Sequence, residues 1–226
     1  MPPISRRNFL KQASVGAAGS TLGCSCTSSS VPTATPSAVA PPPIEMTRLS
    51  ESARPTVFLA DKAAYICGCK PDVHNPGGGG DLALYIGNYC KNSERFLLHW
   101  DLSGISSGVQ VSQALVGLYC VEIYGTPSGR LVYAPLLSEW GDKITYATQP
   151  TADTQEQIRM DWPEKGQWQE VDVTRWVKRW LATPDKNFGL LGYAVDVSEE
   201  TCSAVFASVL SVGEQRPRLT LAYSGS

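Results

Sequence analysis

The seven cysteines of this 226-residue chain are the residues whose types and spacing most clearly suggest specific chemistry. They are Cys24, Cys26, Cys67, Cys69, Cys90, Cys120 and Cys202. Thiols in such a set can form disulfides, bind a metal ion or stay buried as free side chains. If Cys24 carries a modification, as argued below, an even number remains, which suits disulfide formation in an oxidising compartment.

We expect the best single bridge to join Cys67 or Cys69 to Cys90. Cys67 and Cys69 share one face of a predicted strand, so they cannot easily bond each other without strain. The glycine-rich loop at 77–80 returns the chain, so that Cys90 can approach one of them. The alternative is a metal site, although C-x-C spacing is unusual for zinc, and its ligands would be Cys67, Cys69, His74 and Cys90. The prediction is disulfides and no metal.

The other reactive side chains do not indicate a catalytic centre. Residues 104–108 match the G-x-S-x-G pattern of a nucleophilic serine, which needs a strand before it and a helix after it. A second strand follows here, so Ser106 is assigned to a turn. The carboxylates are scattered, with no spacing that makes two of them flank one bond. We therefore predict that the chain is not an enzyme, with a glycosidase or polysaccharide lyase as the alternative.

The N-terminus has the pattern of an export signal. Arg6 and Arg7 lie in S-R-R-N-F-L-K, which resembles a twin-arginine signal, and a weakly apolar stretch follows. The sequence T-L-G-C that ends at Cys24 looks like a lipobox, so we predict lipid attachment at Cys24. Residues 1–23 are assigned as the signal peptide, and the Ser/Pro-rich residues 24–54 as a disordered tether. The expected location is the periplasm or cell surface, with a lipid anchor.

The remainder of the chain, residues 55–226, has the pattern of an all-β domain. Short apolar runs alternate with Gly, Pro, Asn and Ser, which favours a jelly-roll β-sandwich of two antiparallel sheets. On the strand at 95–101, Phe96, Leu98 and Trp100 alternate with polar side chains and are predicted to lie in the core. The predicted strands are 57–60, 64–69, 82–86, 95–101, 113–123, 131–135, 170–173, 188–194, 204–208 and 218–223.

A single short helix near 174–182 interrupts this pattern. Thr174 can cap its N-terminus, and apolar residues recur at helical spacing along one stripe. Trp180 belongs to that stripe and is expected to pack in the core. Trp176 is expected to face water, together with three basic neighbours: Arg175, Lys178 and Arg179.

The charge balance excludes one class of partner. With 19 basic and 21 acidic residues the net charge is −2, and removal of the signal peptide would make the chain more acidic. Nucleic-acid affinity comes mainly from Lys and Arg at phosphates. Binding to nucleic acid is therefore not expected.

Seven short motifs, in order over about 165 residues, resemble the DNRLRE-type domain, which is related to disaggregatase repeats and to alginate-binding carbohydrate-binding modules. The resemblance implies a jelly-roll sandwich used outside the cell as a binding appendage. Members usually sit beside a catalytic or repeat region, and no such region is recognised in this sequence. The motifs are A-L-Y-I-G-N at 83–88, R-F-L-L-H-W-D-L-S at 95–103, Q-A-L-V-G-L-Y at 113–119, W-G-D-K-I-T-Y-A-T-Q-P at 140–150, V-D-V-T-R-W-V-K-R-W at 171–180, N-F-G-L-L at 187–191 and R-P-R-L-T-L-A-Y at 216–223.

Five residues are candidates for contact with a glycan. Sugar rings stack on aromatic faces, and carboxylated sugars recruit basic side chains. Strand register places some candidates on an outer face, and two tryptophans fall in a predicted loop. Each has a structural alternative, as a surface ion pair or as packing at the rim. The candidates are Arg95, His99, Tyr119, Trp162 and Trp168.

These observations predict an exported lipoprotein that binds a polysaccharide or glycan without catalysis. The alternative is a structural or adhesive protein that contacts another envelope protein. A broad apolar patch around Leu115 and Tyr119 would favour the alternative, and a groove lined by aromatic and basic groups would favour glycan binding. No cofactor is predicted; structural calcium is compatible with a jelly roll, although no loop has an oxygen-ligand motif.

Overall fold

The structure is a computed structural model that describes residues 55–76, 82–106, 108–211 and 213–224. The signal and lipidation residues Arg6, Arg7 and Cys24, and the tether predicted at 24–54, lie outside the described residues. None of the helices within the described ranges is both long and apolar enough to cross a bilayer.

Eleven strands and one α-helix make up the regular structure of the described residues. All ten predicted strands are confirmed, with ends shifted by a few residues. Strand β7 was not predicted because three residues are too few to show a period of two. The elements are β1 (Thr56–Leu59), β2 (Lys62–Cys67), β3 (Ala83–Tyr89), β4 (Asn92–His99), β5 (Gln110–Tyr124), β6 (Arg130–Pro135), β7 (Ile158–Met160), β8 (Trp168–Asp172), α1 (Thr174–Ala182), β9 (Leu190–Val195), β10 (Cys202–Ala207) and β11 (Arg218–Ser224).

Every strand pairing in the described part of the chain is antiparallel, and β5 connects two layers. Strand β5 pairs with β11 on one edge and with β8 on the other, and β1 extends that layer beyond β11. Its C-terminal part pairs with β10, which continues through β3, β4, β9 and β6 to β7, while β2 pairs with β4. This arrangement confirms the predicted all-β, sandwich-like fold.

The main core lies between the layers and contains the side chains that alternation placed there. Phe96, Leu98 and Trp100 are fully buried, which confirms their predicted positions. They pack with inward residues of β5 and β11 and with the apolar stripe of α1. The helix therefore closes the interior, as predicted for Trp180.

The prediction that Trp176 faces water was wrong, because this side chain is 1% exposed. Residues three and four apart share one face of a helix, so Trp176 lies beside Trp180, with 6.4 Å between ring centroids. Its indole N–H also donates a hydrogen bond to the Glu156 carbonyl, at 3.2 Å. The basic residues of the helix are exposed, as expected: Arg175, Lys178 and Arg179.

The helix begins differently from the prediction, in which Thr174 was the capping residue. Thr174 is the first helical residue, and Val173 precedes it without a side-chain cap. The Asp172 carboxylate accepts hydrogen bonds from the Thr174 backbone N–H at 2.9 Å and from its hydroxyl at 2.5 Å. The Thr174 hydroxyl oxygen accepts the Ala114 N–H at 2.9 Å, which ties the start of the helix to β5.

A second core lies on the opposite face of β2, β4 and β9. The segment at 136–157 covers this face, and Trp140, 7% exposed, is its largest anchor. The Trp140 indole N–H donates to the Phe188 carbonyl at 2.9 Å, which holds this anchor in place. The sheet residues of this core are Ala64, Ile66, Leu97 and Leu191, and the covering residues include Leu136 and Ile144.

The cysteine pairing differs from the predicted bridge to Cys90. Cys67 is bonded to Cys69, with 5.1 Å between their Cα atoms. The prediction assumed a strand through Cys69, where residues two apart are about 6.6 Å apart; β2 ends at Cys67, and a turn closes with the Lys70 N–H donating to the Cys67 carbonyl. Cys90 is an exposed thiol, and Cys120 and Cys202 are buried thiols. Among the described residues, no group of three or more His, Cys, Asp or Glu could hold a metal ion.

Alanine at Gly189 should destabilise the fold, because this residue has a φ of +80° and an added Cβ would lie 2.0 Å from the Leu98 carbonyl oxygen. We expect G189A to lower the free energy of unfolding by about 2 kcal/mol or more. Urea denaturation followed by tryptophan fluorescence measures this change. The matched control is G104A, where nothing lies within 4 Å of the added Cβ. Equal effects of the two substitutions would contradict the prediction.

The charge of Asp172 should contribute stability that acid removes. Hydrogen bonds from the Thr174 hydroxyl and backbone N–H lower the pKa of Asp172. Because the folded-state pKa is below the unfolded value of about 3.9, the contribution is present above that value and is lost as the pH falls through the folded-state pKa. D172N should therefore be less stable than the wild type at pH 7, and this difference should shrink as the pH falls below the unfolded-state pKa of Asp172 and through its lower folded-state pKa.

Urea unfolding of both proteins at several pH values measures this difference. Asparagine keeps the acceptor oxygen and removes only the charge. A difference of constant size at all pH values would show that the effect is steric and not electrostatic.

Candidate functional site

The outer face of the layer β1-β11-β5-β8 carries an aromatic and basic cluster. Alternate residues of β5 point away from the core, so Gly117 and Tyr119 lie outward while Val116 and Leu118 are fully buried. Register then places Trp168 of β8 opposite Tyr119 and Arg218 of β11 opposite Gly117. We call Tyr119, Trp168 and Arg218 the outer-face cluster.

Trp168 contacts both of the other side chains of the cluster. The rings of Tyr119 and Trp168 meet edge to face, with centroids 5.5 Å apart and planes at 66°. The guanidinium carbon of Arg218 lies 3.9 Å from the Trp168 ring centroid, a cation–π contact. Gly117 lies beneath them, and a Cβ there would come within 3.1 Å of Arg218 Nε and 3.3 Å of Trp168 Cε3. The glycine therefore leaves room for the stacked pair.

The cluster offers the two chemistries that sugar rings require. Tyr119, Trp168 and Arg218 are all half-buried, so part of each remains accessible to a ligand. The guanidinium of Arg218 lies over the Trp168 ring, and its N–H groups can donate to hydroxyl or carboxylate oxygens of a ligand. Aromatic faces can contact the apolar C–H side of a pyranose.

Charged groups border the cluster without entering it. Glu170 of β8 is opposite Gly117 and is exposed. Lys165 Nζ lies 2.6 Å from Glu122 Oε2, and this hydrogen bond raises the pKa of Lys165. The lysine is therefore paired with a neighbour on the protein, whereas Arg218 is held by an aromatic ring.

Of the five predicted ligand residues, the pairing of β5 with β8 brings two together in the outer-face cluster, namely Tyr119 and Trp168. Trp162 packs against the main core and donates its indole N–H to the Ser128 carbonyl at 2.9 Å. That geometry matches the structural alternative of packing at the rim.

Arg95 lies on the other layer, beneath the covering segment 136–157. Its guanidinium donates to Gln149 Oε1 at 3.0 Å and lies 4.8 Å from the Tyr146 ring centroid. Its Nε also donates to Ser93 Oγ at 3.0 Å. The structure therefore does not bring Arg95 together with Tyr119 and Trp168.

His99 lines a separate cleft of about 320 Å³. It ends strand β4, and its Nδ1 lies 2.9 and 3.1 Å from the carboxylate oxygens of Asp61. The cleft, here called the end cleft, lies where β2 and β9 begin and where β4 and β6 end. Its lining residues are Asp61, Lys62, His99, Glu139, Trp140, Asn187 and Phe188.

Sequence reasoning missed Arg218, although a signal for its orientation is present. Leu219 and Leu221 alternate with Arg218 and Thr220, which indicates that the arginine lies on the outer face. The pairing of Arg218 with Gly117 depends on the register between β5 and β11, and a local sequence pattern does not predict register between strands that are far apart in the chain. The contact with Trp168 follows from that register.

An antiparallel sandwich with aromatic and basic side chains on an open strand face is characteristic of sugar-binding modules. The chain matches the family model of carbohydrate-binding module family 96 over residues 57–223, and it belongs to this family. The matched range includes the outer-face cluster and the end cleft. No curated protein matches the chain. The protein is thus a carbohydrate-binding module, while the kinship with DNRLRE-type and alginate-binding domains stays a prediction.

Proposed function

We propose that this module binds a polysaccharide or glycan on the outer face of the layer β1-β11-β5-β8, through Tyr119, Trp168 and Arg218. The observation that carries the proposal is that Trp168 contacts both Tyr119 and Arg218 on an outer sheet face, where all three side chains stay partly accessible. The module acts by binding alone and leaves the sugar chemically unchanged.

In this geometry the aromatic rings supply the apolar contacts with a sugar, and Arg218 supplies the polar contacts. Arg218 packs on Trp168, so a sugar would stack on the part of the aromatic pair that the arginine leaves accessible. Because the cluster lies on sheet strands, its side chains need little ordering on binding, which lowers the entropy cost. Arg218 would donate hydrogen bonds to ring hydroxyls or to a carboxylate at the edge of the same sugar.

A second candidate function is contact with another envelope protein. Val57 and Leu59 of β1 are 52% and 46% exposed, and register places them beside Thr220 and Arg218 on the same outer face. Exposed apolar side chains beside an aromatic pair favour an interaction surface. In that case binding would depend on Val57 and Leu59 as well as on the aromatic cluster.

The setting that we propose is outside the cytoplasm. Arg6 and Arg7 support export by the twin-arginine route, and Cys24 supports a lipid anchor. A tether at residues 24–54 would then hold the module away from the membrane and within reach of extracellular glycans.

Removal of the aromatic platform should weaken glycan binding. We expect W168A to reduce the affinity for a bound polysaccharide about tenfold or more, because it removes the stacking surface and the support of Arg218. Y119A and R218A should each show a smaller loss. The measurement is a glycan array with the purified module, followed by calorimetry on the best ligand.

The matched control is Y89A, an exposed aromatic at the end of β3. Its binding should equal that of the wild type. If W168A, Y119A and R218A all retain full affinity, the outer-face cluster is not the binding site. The second candidate function is tested by capture of an envelope protein with the purified module. If V57S and L59S abolish this capture, contact with an envelope protein is favoured.

Substitution of Cys24 should release the protein from the membrane. In a bacterial host labelled with a fatty-acid analogue, we expect the wild type to carry label and to sediment with membranes. C24A should carry no label and should appear in the soluble fraction of the envelope. C26A is the matched control and should behave as the wild type. Label on C24A would contradict lipidation at this residue.

A further inference from the structure

The end cleft continues into two neighbouring cavities. One, of about 330 Å³, shares Asp61, Lys62 and Trp140 with the cleft. The other, also about 330 Å³, shares His99 and Asn187 with it. Shared walls make the three cavities one groove across the ends of the strands, called here the end groove. A groove of this length suits a chain of linked units better than a single small molecule.

Part of the wall of the end groove is apolar, and hydrogen bonds hold this part in place. Phe188 is half-buried, and its carbonyl accepts the Trp140 indole N–H at 2.9 Å. Asn187 donates its side-chain amide to the Trp100 carbonyl at 2.8 Å. Gly189, which follows Phe188, has no room for a side chain, so the backbone at the start of β9 is held close to β4. At the far end the wall is apolar and is formed by Trp180, Leu181 and Pro184.

Polar groups line the groove and can both accept and donate hydrogen bonds. The Nδ1 of His99 faces Asp61, so a neutral His99 donates Nδ1–H to that carboxylate and leaves Nε2 as an acceptor for a ligand. Glu139 is exposed at the rim and adds a further acceptor. Sugar hydroxyls are donors of the kind that such carboxylates and imidazoles bind.

The charges of the groove are mainly negative. Its carboxylates are Asp61, Asp101, Glu139 and Asp142, and its one lysine, Lys62, lies 3.8 Å from Asp142 and 4.2 Å from the Trp140 ring centroid. Hydrogen bonds from Ser103 lower the pKa of Asp101, so this group keeps its charge in mild acid. A ligand that carries carboxylates would therefore be repelled.

We propose that the end groove is a second saccharide-binding site, and that it takes a neutral oligosaccharide. It shares no residue with the outer-face cluster and is built from the ends of β2, β4, β6 and β9, so it does not depend on the outer-face site. Apolar walls hold the C–H faces of the sugar rings, while the carboxylates and His99 hold the hydroxyls. The acidic excess excludes uronate chains.

The test is an NMR titration of the protein that begins at Cys24 and therefore lacks the predicted signal peptide. The probes are cellotetraose, mannotetraose and xylotetraose as neutral chains, and tetragalacturonate as the charged chain. We expect at least one neutral probe to shift the indole N–H signal of Trp140 and the ring signals of His99. Tetragalacturonate should leave these signals unchanged.

Variants then assign the binding to the groove. E139A, at an exposed position, and D61N, which removes the charge beside His99, should each weaken neutral binding about tenfold or more, as expected for the loss of one hydrogen bond to a charged group. W168A should bind the neutral probe at the groove with unchanged affinity, even if it loses binding at the outer face. This control separates failure of the groove from failure of the outer-face site.

Three results would overturn the proposal. The first is that no neutral tetrasaccharide shifts the Trp140 and His99 signals at millimolar concentration. The second is that tetragalacturonate shifts them as strongly as a neutral probe. The third is that E139A and D61N both bind the neutral probe with wild-type affinity. If an oligolysine peptide then shifts the groove signals, the acidic groove is a binding site for a basic protein segment.

Discussion

Both layers of this domain depend on the pairing of β5. Its 15 residues pair with β8 and β11 in one layer and reach β10 in the other, so it carries the hydrogen-bond network across the sandwich. Side chains of a strand alternate, so the register that buries Val116 and Leu118 also turns Gly117 and Tyr119 outward. A slip of one residue would bury Tyr119 and dismantle its contact with Trp168. The register shift beside Val205 and Phe206 lies where β5 changes partners, and such irregularities bend strands.

The two layers differ in what lies on their outer faces, and this difference decides where ligands can bind. The segment 136–157 covers the face of β2, β4 and β9, with Trp140 as its anchor. Arg95 is consequently engaged with Gln149 and Tyr146. No described segment covers the face that carries Tyr119, so that layer keeps an open surface. The covered layer presents its strand ends instead, and the same Trp140 that seals its face lines the end groove.

Local patterns were sufficient for the strands, the helix and much of the core, but not for contacts between distant elements. Phe96, Leu98 and Trp100 were predicted because alternation within one strand decides their orientation. Trp176 was misplaced because the width of a buried helical stripe depends on how much of the helix the sandwich encloses. The Cys67–Cys69 bond was missed because the end of β2 was placed two residues too late. Arg218 was missed because its neighbours belong to β5 and β8, and register between remote strands has no local signature.

The chemistry of the two proposed sites makes them complementary. Arg218 presents donors beside an aromatic pair, whereas the end groove presents carboxylates and an imidazole acceptor. With a net charge of −2 the chain has no broad positive field, so attraction of an acidic sugar must come from the local position of Arg218. Two sites on one rigid domain raise each other's effective ligand concentration when a single polymer can reach both. A polysaccharide with both neutral and acidic stretches would therefore be held more tightly than either stretch alone, without any new contact within either site.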